Sequence, residues 1–203
     1  KCNLGIWKYN FVLAVIIGIG SAYKKIIHDP KVRILIDECV DNVWGNIIIR
    51  NIKLHNKRFF KDVLQPAEED KNMTTAITLV DRFEKNRINR YDLVIAIGGG
   101  IVIDVVSFVC SIYMRGLPLL IVPTTLIGQV DAASGGKTCI NTSTTKNLLG
   151  TFYFPKVVYN NCNFITSLSD YDCRQGMSEI FKYGLLGSPY LVSLLSNYKK
   201  TQR

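Results

Sequence analysis

The sequence predicts an α/β fold, a mostly parallel sheet followed by the opening of an all-α unit. Three observations predict it. Short apolar runs alternate with longer stretches of helical periodicity, the pattern of parallel strands joined by crossover helices. One of those runs closes on Gly98-Gly99-Gly100 directly before a helical stretch. Beyond Ser169 the periodicity is helical alone. The first two features make the sheet domain Rossmann-like.

Val32-Arg33-Ile34-Leu35-Ile36-Asp37 is a short apolar run ending in an acid and predicts a buried strand. Asn46-Ile47-Ile48-Ile49-Arg50, rich in β-branched residues, predicts a second and weaker strand. Between Asp70 and Asn89, Met73, Ile77, Val80 and Phe83 recur at three- and four-residue spacing, as on one helix face. Tyr91 to Ile97 is a strand closed by the glycines. Ile101 to Met114 is apolar nearly all round and predicts a buried helix. Leu117 to Val122 is a strand stopped by Pro123. Residues 124–154 are rich in Gly, Thr and Asn and predict a long functional loop, and Val157 to Asn160 predicts a last strand. Residues 1–163 therefore form the sheet domain and 164–203 the beginning of a helical one, with the first thirty residues carrying no legible pattern.

Composition bounds the function. Of 203 residues 48% are apolar and 20% charged, enough for a full core and unlike a disordered chain. The longest apolar run, Phe11 to Ile19, falls well short of the about 20 residues of a membrane helix, and no signal-peptide cleavage pattern follows it. The six cysteines show no CxxC spacing, which predicts free thiols in a reducing, cytoplasmic compartment. The net charge is +9, yet Lys24-Lys25, Lys57-Arg58, Arg87, Arg90 and Lys199-Lys200 are scattered, with no basic stripe interleaved with aromatics. Neither a nucleic-acid nor a membrane partner is expected, and an anionic small molecule fits the clustered lysines better.

The chemistry concentrates in a few segments. Gly98-Gly99-Gly100 between strand and helix lets backbone approach a diphosphate, with free N–H groups at the helix start; alone, such a turn is equally a tight connection. Asp104 falls in the first helical turn, where a carboxylate is favoured by the helix dipole in any case. Pro123-Thr124-Thr125 ends a strand, where doubly wound sheets place ligands, although either hydroxyl could simply cap the next turn. Asp131, Lys137, Lys146 and Asn147 lie within 17 residues, with Gly135-Gly136 between them. A polyhydroxy phosphate needs a carboxylate for its hydroxyls and ammonium groups for its anions, and this set supplies both. Glu179 and Lys182 share a helix face, as an ion pair or as a site.

Taken together, Gly98-Gly99-Gly100, Pro123-Thr124-Thr125, Gly135-Gly136-Lys137-Thr138, Lys146-Asn147 and the run Gly176 to Gly184 resemble the 3-dehydroquinate synthase family of the shikimate pathway of aromatic amino acid and chorismate biosynthesis. The likeness extends from about Val32 to Ser196. It implies NAD and a divalent metal, zinc or cobalt, as cofactors, a homodimer, and a phosphorylated heptulosonate as substrate. By resemblance, Asp131, Lys137, Asn147, Lys182 and Arg115 act on substrate, Arg115 from across a subunit interface. Asp37, Glu68, Lys71, Gly99, Gly100, Asp104, Thr124, Thr125, Lys137, Lys146, Phe164 and Ser167 surround the cofactor, and Glu179 is the first metal ligand. Cys39, Ala67 and Ser167 stand where the family usually carries Asn, Gly and Thr, and Ser169-Asp170 where it usually carries Leu-Pro. The family's other two metal ligands are histidines of the helical domain. His28 and His55 lie upstream in no ligand pattern, so the 203 residues are expected to be a fragment that is inactive alone.

The implied reaction turns 3-deoxy-D-arabino-heptulosonate 7-phosphate into 3-dehydroquinate and phosphate. Other sugar phosphate cyclases, such as 2-epi-5-epi-valiolone synthases, share the glycine run and the Lys-Asn pair but generally lose the Gly-Gly-Lys-Thr segment, which is intact here. A glycerol-dehydrogenase-type oxidoreductase and a non-catalytic remnant that binds NAD only are the remaining alternatives.

Overall fold

Val32–Asp37 forms β1, all six residues buried, because its flanking strands and helices cover both faces. The computed structural model describes residues 31–53, 59–65 and 67–201. After β1 come α1 (Glu38–Lys53), β2 (Phe59–Leu64), a 3₁₀ turn (Glu68–Asp70), α2 (Met73–Lys85), β3 (Leu93–Gly98) and α3 (Gly100–Ile112). They are followed by β4 (Leu119–Pro123), a π-helical turn (Gly128–Ala132), a hairpin of β5 (Lys137–Ile140) and β6 (Leu149–Phe152), and β7 (Val157–Val158). A 3₁₀ segment (Cys162–Ser167) then leads into α4 (Asp170–Gly187) and α5 (Pro189–Thr201).

The main sheet has five strands in the order β2-β1-β3-β4-β7, every pair parallel. The chain builds outward from β1 to β2 on one side and from β1 to β3 on the other, so the order reverses between β1 and β3. One face packs Val32, Ile34, Ile36, Leu93, Ile95 and Ile97 against Ile48 and Ile52 of α1. The opposite face packs Leu35, Val94 and Ala96 against Ala76, Leu79 and Phe83 of α2 and Val102, Val106 and Val109 of α3. Helices thus cover both faces, a doubly wound arrangement. Among the described residues no helix is long and apolar enough to cross a membrane.

Three expectations are corrected. Asn46–Arg50 is not a strand but the middle of α1. Its β-branched residues read as extended, yet Ile48 and Ile52 are one helical turn apart and both buried, so packing overrides propensity. The second strand is instead Phe59–Leu64, at the sheet edge, where its polar residues are tolerated. The face of α2 is also rotated: Met73 and Ile77 are exposed, and Ala76, Leu79 and Phe83 are the buried set. Finally, residues 124–154 are not all loop. Thr138 and Ile140 turn inward and Lys137 outward, giving the alternation of a strand, and β5 pairs antiparallel with β6. A Cβ on Gly150 would collide with the Thr138 carbonyl oxygen, so glycine is required for that pairing.

Candidate functional site

The carboxyl ends of β1, β3 and β4 meet at the point where strand order reverses, and a cleft of about 580 Å³ opens there. Asp37, Gly99, Gly100, Thr124, Thr125 and Ser167 line it, together with Trp44. The glycines are used differently. A Cβ on Gly98 would come within 3.0 Å of Asp37 and 2.9 Å of Val102, so that residue is small for packing. Gly100 faces open space, with nothing within 4 Å of an added Cβ. Gly99 caps α3 without any side-chain hydrogen bond. The first N–H groups of α3 therefore border the cleft where it is open at Gly100, with Thr125 beside Gly99, which suits the diphosphate of a dinucleotide.

Asp37 is 7% exposed and serves a structural purpose as well: its Oδ1 accepts from the Cys39 and Val40 N–H groups at 2.8 and 3.4 Å, capping α1. Burial pushes its carboxyl pKa up despite those hydrogen bonds. A raised folded-state pKa means that the charge costs stability above the ordinary carboxylate range. Asp37→Asn, which keeps the cap, is therefore expected to be at least as stable as the parent at pH 7, with the difference closing as pH falls through the raised folded value towards the ordinary one of about 4. Asp37→Ala loses the cap and about 1 kcal/mol. Urea midpoints at pH 7 and pH 3.5 check both signs.

The Thr124 N–H donates to the Gly98 carbonyl at 3.0 Å, and its side chain is buried. The Thr125 hydroxyl accepts from the Gly128 N–H at 3.1 Å and so caps the turn after β4. Phe164 is only 1% exposed and sits behind the cleft wall rather than in it. The aromatic that does line the cleft is Trp44, whose Nε1–H donates to Ser167 Oγ at 3.0 Å and whose ring meets Phe164 edge to face.

Beside the cleft, three motifs far apart in sequence converge. Lys71 Nζ, almost buried, donates to Asp104 Oδ2 at 2.5 Å and to Asn147 Oδ1 at 2.6 Å. Cys139 Sγ lies 3.3 Å from Asp104 Oδ2 and 3.2 Å from Asn147 Oδ1. Desolvation pulls the Lys71 pKa down, but the hydrogen bond and charge of Asp104 outweigh it and hold the amine above its ordinary value. Burial keeps the Asp104 carboxyl above the usual carboxylate value, against the pull of Lys71. Asn147 adopts a left-handed conformation, φ 55°, its N–H bonded to Asn141 Oδ1 at 2.8 Å. Asn141 Nδ2 in turn donates to Glu68 Oε1 at 2.9 Å, which lowers the Glu68 pKa, while exposed Lys146 reaches Glu68 at 3.5 Å. Lys137 is exposed on the face of β5 that also carries Cys139.

A second group lies where α4 crosses the π-helical turn. Tyr183 donates to Asp131 Oδ1 at 2.7 Å, and Lys182 Nζ is paired with Glu179 Oε2 at 2.7 Å. Gly176 permits the crossing, since a Cβ there would sit 2.5 Å from Leu126 Cγ and 2.8 Å from the Ile127 nitrogen. Arg115 is exposed and lies in three consecutive residues of positive φ (48°, 68° and 125° at Met114, Arg115 and Gly116), away from both groups. Among the described residues no group of three or more His, Cys, Asp or Glu could hold a metal ion, and His28 and His55 lie outside those residues. Sequence reasoning did not single out Trp44, Cys139, Asn141 or Tyr183. Tyr183 and Cys139 adjoin recognised motifs, and Trp44 becomes visible only once α1 is read as a helix.

A doubly wound parallel sheet with a bare glycine turn at its switch point places the chain in the Rossmann-like class of α/β folds. The family model for the 3-dehydroquinate synthase N-terminal region matches residues 61–175, and the chain belongs to that family. It is 39% identical over 193 residues to the 3-dehydroquinate synthase of Sulfurisphaera tokodaii, covering 94% of this chain and 53% of the relative. It is 36% identical over 158 residues to the 2-epi-valiolone synthase of Actinosynnema mirum, covering 78% and 41%. Among solved structures, ValA, a 2-epi-5-epi-valiolone synthase from Streptomyces hygroscopicus subsp. jinggangensis with NAD+ and Zn2+ bound, superposes with a TM-score of 0.80 at 31% identity, covering 85% of this chain and 49% of that one. The chain spans about half the length of the 3-dehydroquinate synthases it matches.

Proposed function

We propose that the chain is the NAD-binding part, with the start of a helical domain from residue 164, of a cytoplasmic 3-dehydroquinate synthase that converts 3-deoxy-D-arabino-heptulosonate 7-phosphate into 3-dehydroquinate and phosphate. One observation carries this reading: Lys71, Asp104, Cys139 and Asn147, drawn from three motifs, close into one polar cluster beside the glycine turn. The intact Gly135-Gly136-Lys137-Thr138 segment favours this reaction over that of the valiolone synthases.

The residues present fit NAD: the backbone at Gly99 and Gly100 would hold its diphosphate, and Asp37 would accept from a ribose hydroxyl. When bound, it supplies reversible hydride exchange with a substrate hydroxyl. The chain's own groups do the positioning. Lys137, Asn147 and Lys182 hold the carboxylate and phosphate of the substrate by charge-assisted hydrogen bonds, and Asp131, oriented by Tyr183, accepts from its hydroxyls. Arg115, exposed in a run of left-handed backbone, serves a second copy in a homodimer on this reading. The described residues do not form a metal centre, and among them Glu179 alone would supply a ligand to a divalent ion.

In the complete protein, Lys137→Ala is expected to lower kcat/KM by about 10²-fold or more without moving the melting temperature, because the side chain is exposed. Unchanged turnover in Lys137→Ala would remove the anion-binding role from this segment.

A further inference from the structure

Resting on the reading that Arg115 and Lys137 hold the anionic groups of the substrate, we propose that Tyr153 and Phe154 are positioning residues, a clasp that fixes the Arg115 turn and the Lys137 loop relative to each other. Met114 and Arg115 both have positive φ, 48° and 68°, ahead of Gly116 at 125°. Left-handed backbone is costly for a residue that carries a Cβ, and it persists where neighbouring groups hold it. Burial does not offset the cost here, since both side chains are exposed.

Tyr153 supplies the hold. Its hydroxyl donates to the Leu117 carbonyl at 2.6 Å, and a Cβ on Gly116 would come within 3.1 Å of that hydroxyl oxygen. Leu117 is buried, so the bond ties the end of the strained turn to the core. The backbone of the same residue reaches the other segment. The Tyr153 N–H donates to the Gly136 carbonyl at 2.7 Å, one step beyond the Lys137–Phe152 pair that closes the β5–β6 ladder. Gly136 is left-handed as well, φ 64°, and lies against the Phe154 ring, with an added Cβ only 2.6 Å from Cε1. Phe154 is 66% exposed, so its ring covers that glycine rather than filling the core. Each glycine adjoins a cation, Arg115 before Gly116 and Lys137 after Gly136. On the homodimer reading, the clasp joins an arginine that serves a second copy to a lysine of its own site.

The test is steady-state kinetics of the complete protein on the heptulosonate, with inorganic phosphate as inhibitor, beside calorimetric binding of ADP. Tyr153→Phe keeps the ring and the backbone bond to Gly136, so its effect passes through the Leu117 side. It is expected to raise KM and the phosphate inhibition constant about fivefold, the worth of one hydrogen bond, and to leave ADP binding unchanged. In an Arg115→Ala background the same change is expected to add nothing, since the two act as one unit. Phe154→Ala removes an exposed ring and is expected to raise the phosphate constant as well, without lowering the melting temperature. The proposal is overturned if Tyr153→Phe and Phe154→Ala both match the parent, if either weakens ADP equally, or if the effects of Tyr153→Phe and Arg115→Ala are additive. Arg115→Ala and Lys137→Ala that both turn over like the parent overturn the anion-binding reading itself.

Discussion

Lys71→Met is expected to destabilise the protein by about 3–5 kcal/mol and, in the complete protein, to abolish the proposed turnover, since it leaves Asp104 and the Asn147 carbonyl facing each other without a cation. The two side chains of the pair are only 7% and 15% exposed, so water cannot replace the lost partner. The double variant Lys71→Met, Asp104→Leu is expected to recover most of the stability and none of the activity, because a buried pair exchanged for apolar groups is tolerated far better than a widowed charge. The pH dependence has a definite sign. Asp104 holds the Lys71 amine above its ordinary value, so the stability from protonated Lys71 is fully present below the unfolded amine value and is lost as pH rises through the higher folded one. Urea midpoints of the parent should therefore fall above about pH 10.5, and those of the double variant should fall less. Equal midpoints for parent and Lys71→Met at pH 7 would show that the cluster contributes nothing to the fold.

Gly176→Ala is the second large effect. The added methyl would press on Leu126 and on the Ile127 backbone nitrogen at 2.8 Å, and backbone in a packed turn cannot swing away as a side-chain end can. The helix α4 must shift instead, carrying Tyr183, Glu179 and Lys182 away from Asp131. Overpacking of this kind costs about 1–3 kcal/mol, and a displacement of about 1 Å in a catalytic group can cost 10²-fold in rate. Gly187, with nothing within 4 Å of an added Cβ, is the control on the same helix. Thermal melts and turnover of Gly176→Ala and Gly187→Ala should separate the two, and equal behaviour would show that the helix crossing does not position the site.

Much of this was legible in the sequence where one physical signal dominated. β1, β3 and β4 are buried on both faces, so their apolar runs are continuous and unmistakable. The glycine turn announces itself because Gly98 needs the absence of a side chain for packing and Gly100 faces an open cleft. Reading failed where two signals competed. Ile47-Ile48-Ile49 has strand composition and helical burial, and only the sheet packed against it decides between them. The β5–β6 hairpin hides in Thr- and Gly-rich composition because only Thr138 and Ile140 of its strands are buried. Glu68, Lys71, Asp104, Lys146 and Asn147 could be named as members of separate motifs. That they form one network depends on the hairpin folding back over α3, a long-range fact that no local spacing contains. Thr125, Asp37 and Phe164 show the converse: residues expected at a ligand also cap a turn, cap a helix and brace a wall.

The decisive measurement is a product assay on the complete protein with NAD and 3-deoxy-D-arabino-heptulosonate 7-phosphate, following 3-dehydroquinate, phosphate and NADH together. A 3-dehydroquinate synthase releases 3-dehydroquinate and phosphate one for one and accumulates no NADH. No turnover of this substrate, or NADH accumulating in step with substrate consumed, would contradict that assignment in favour of another sugar phosphate cyclase or a polyol dehydrogenase.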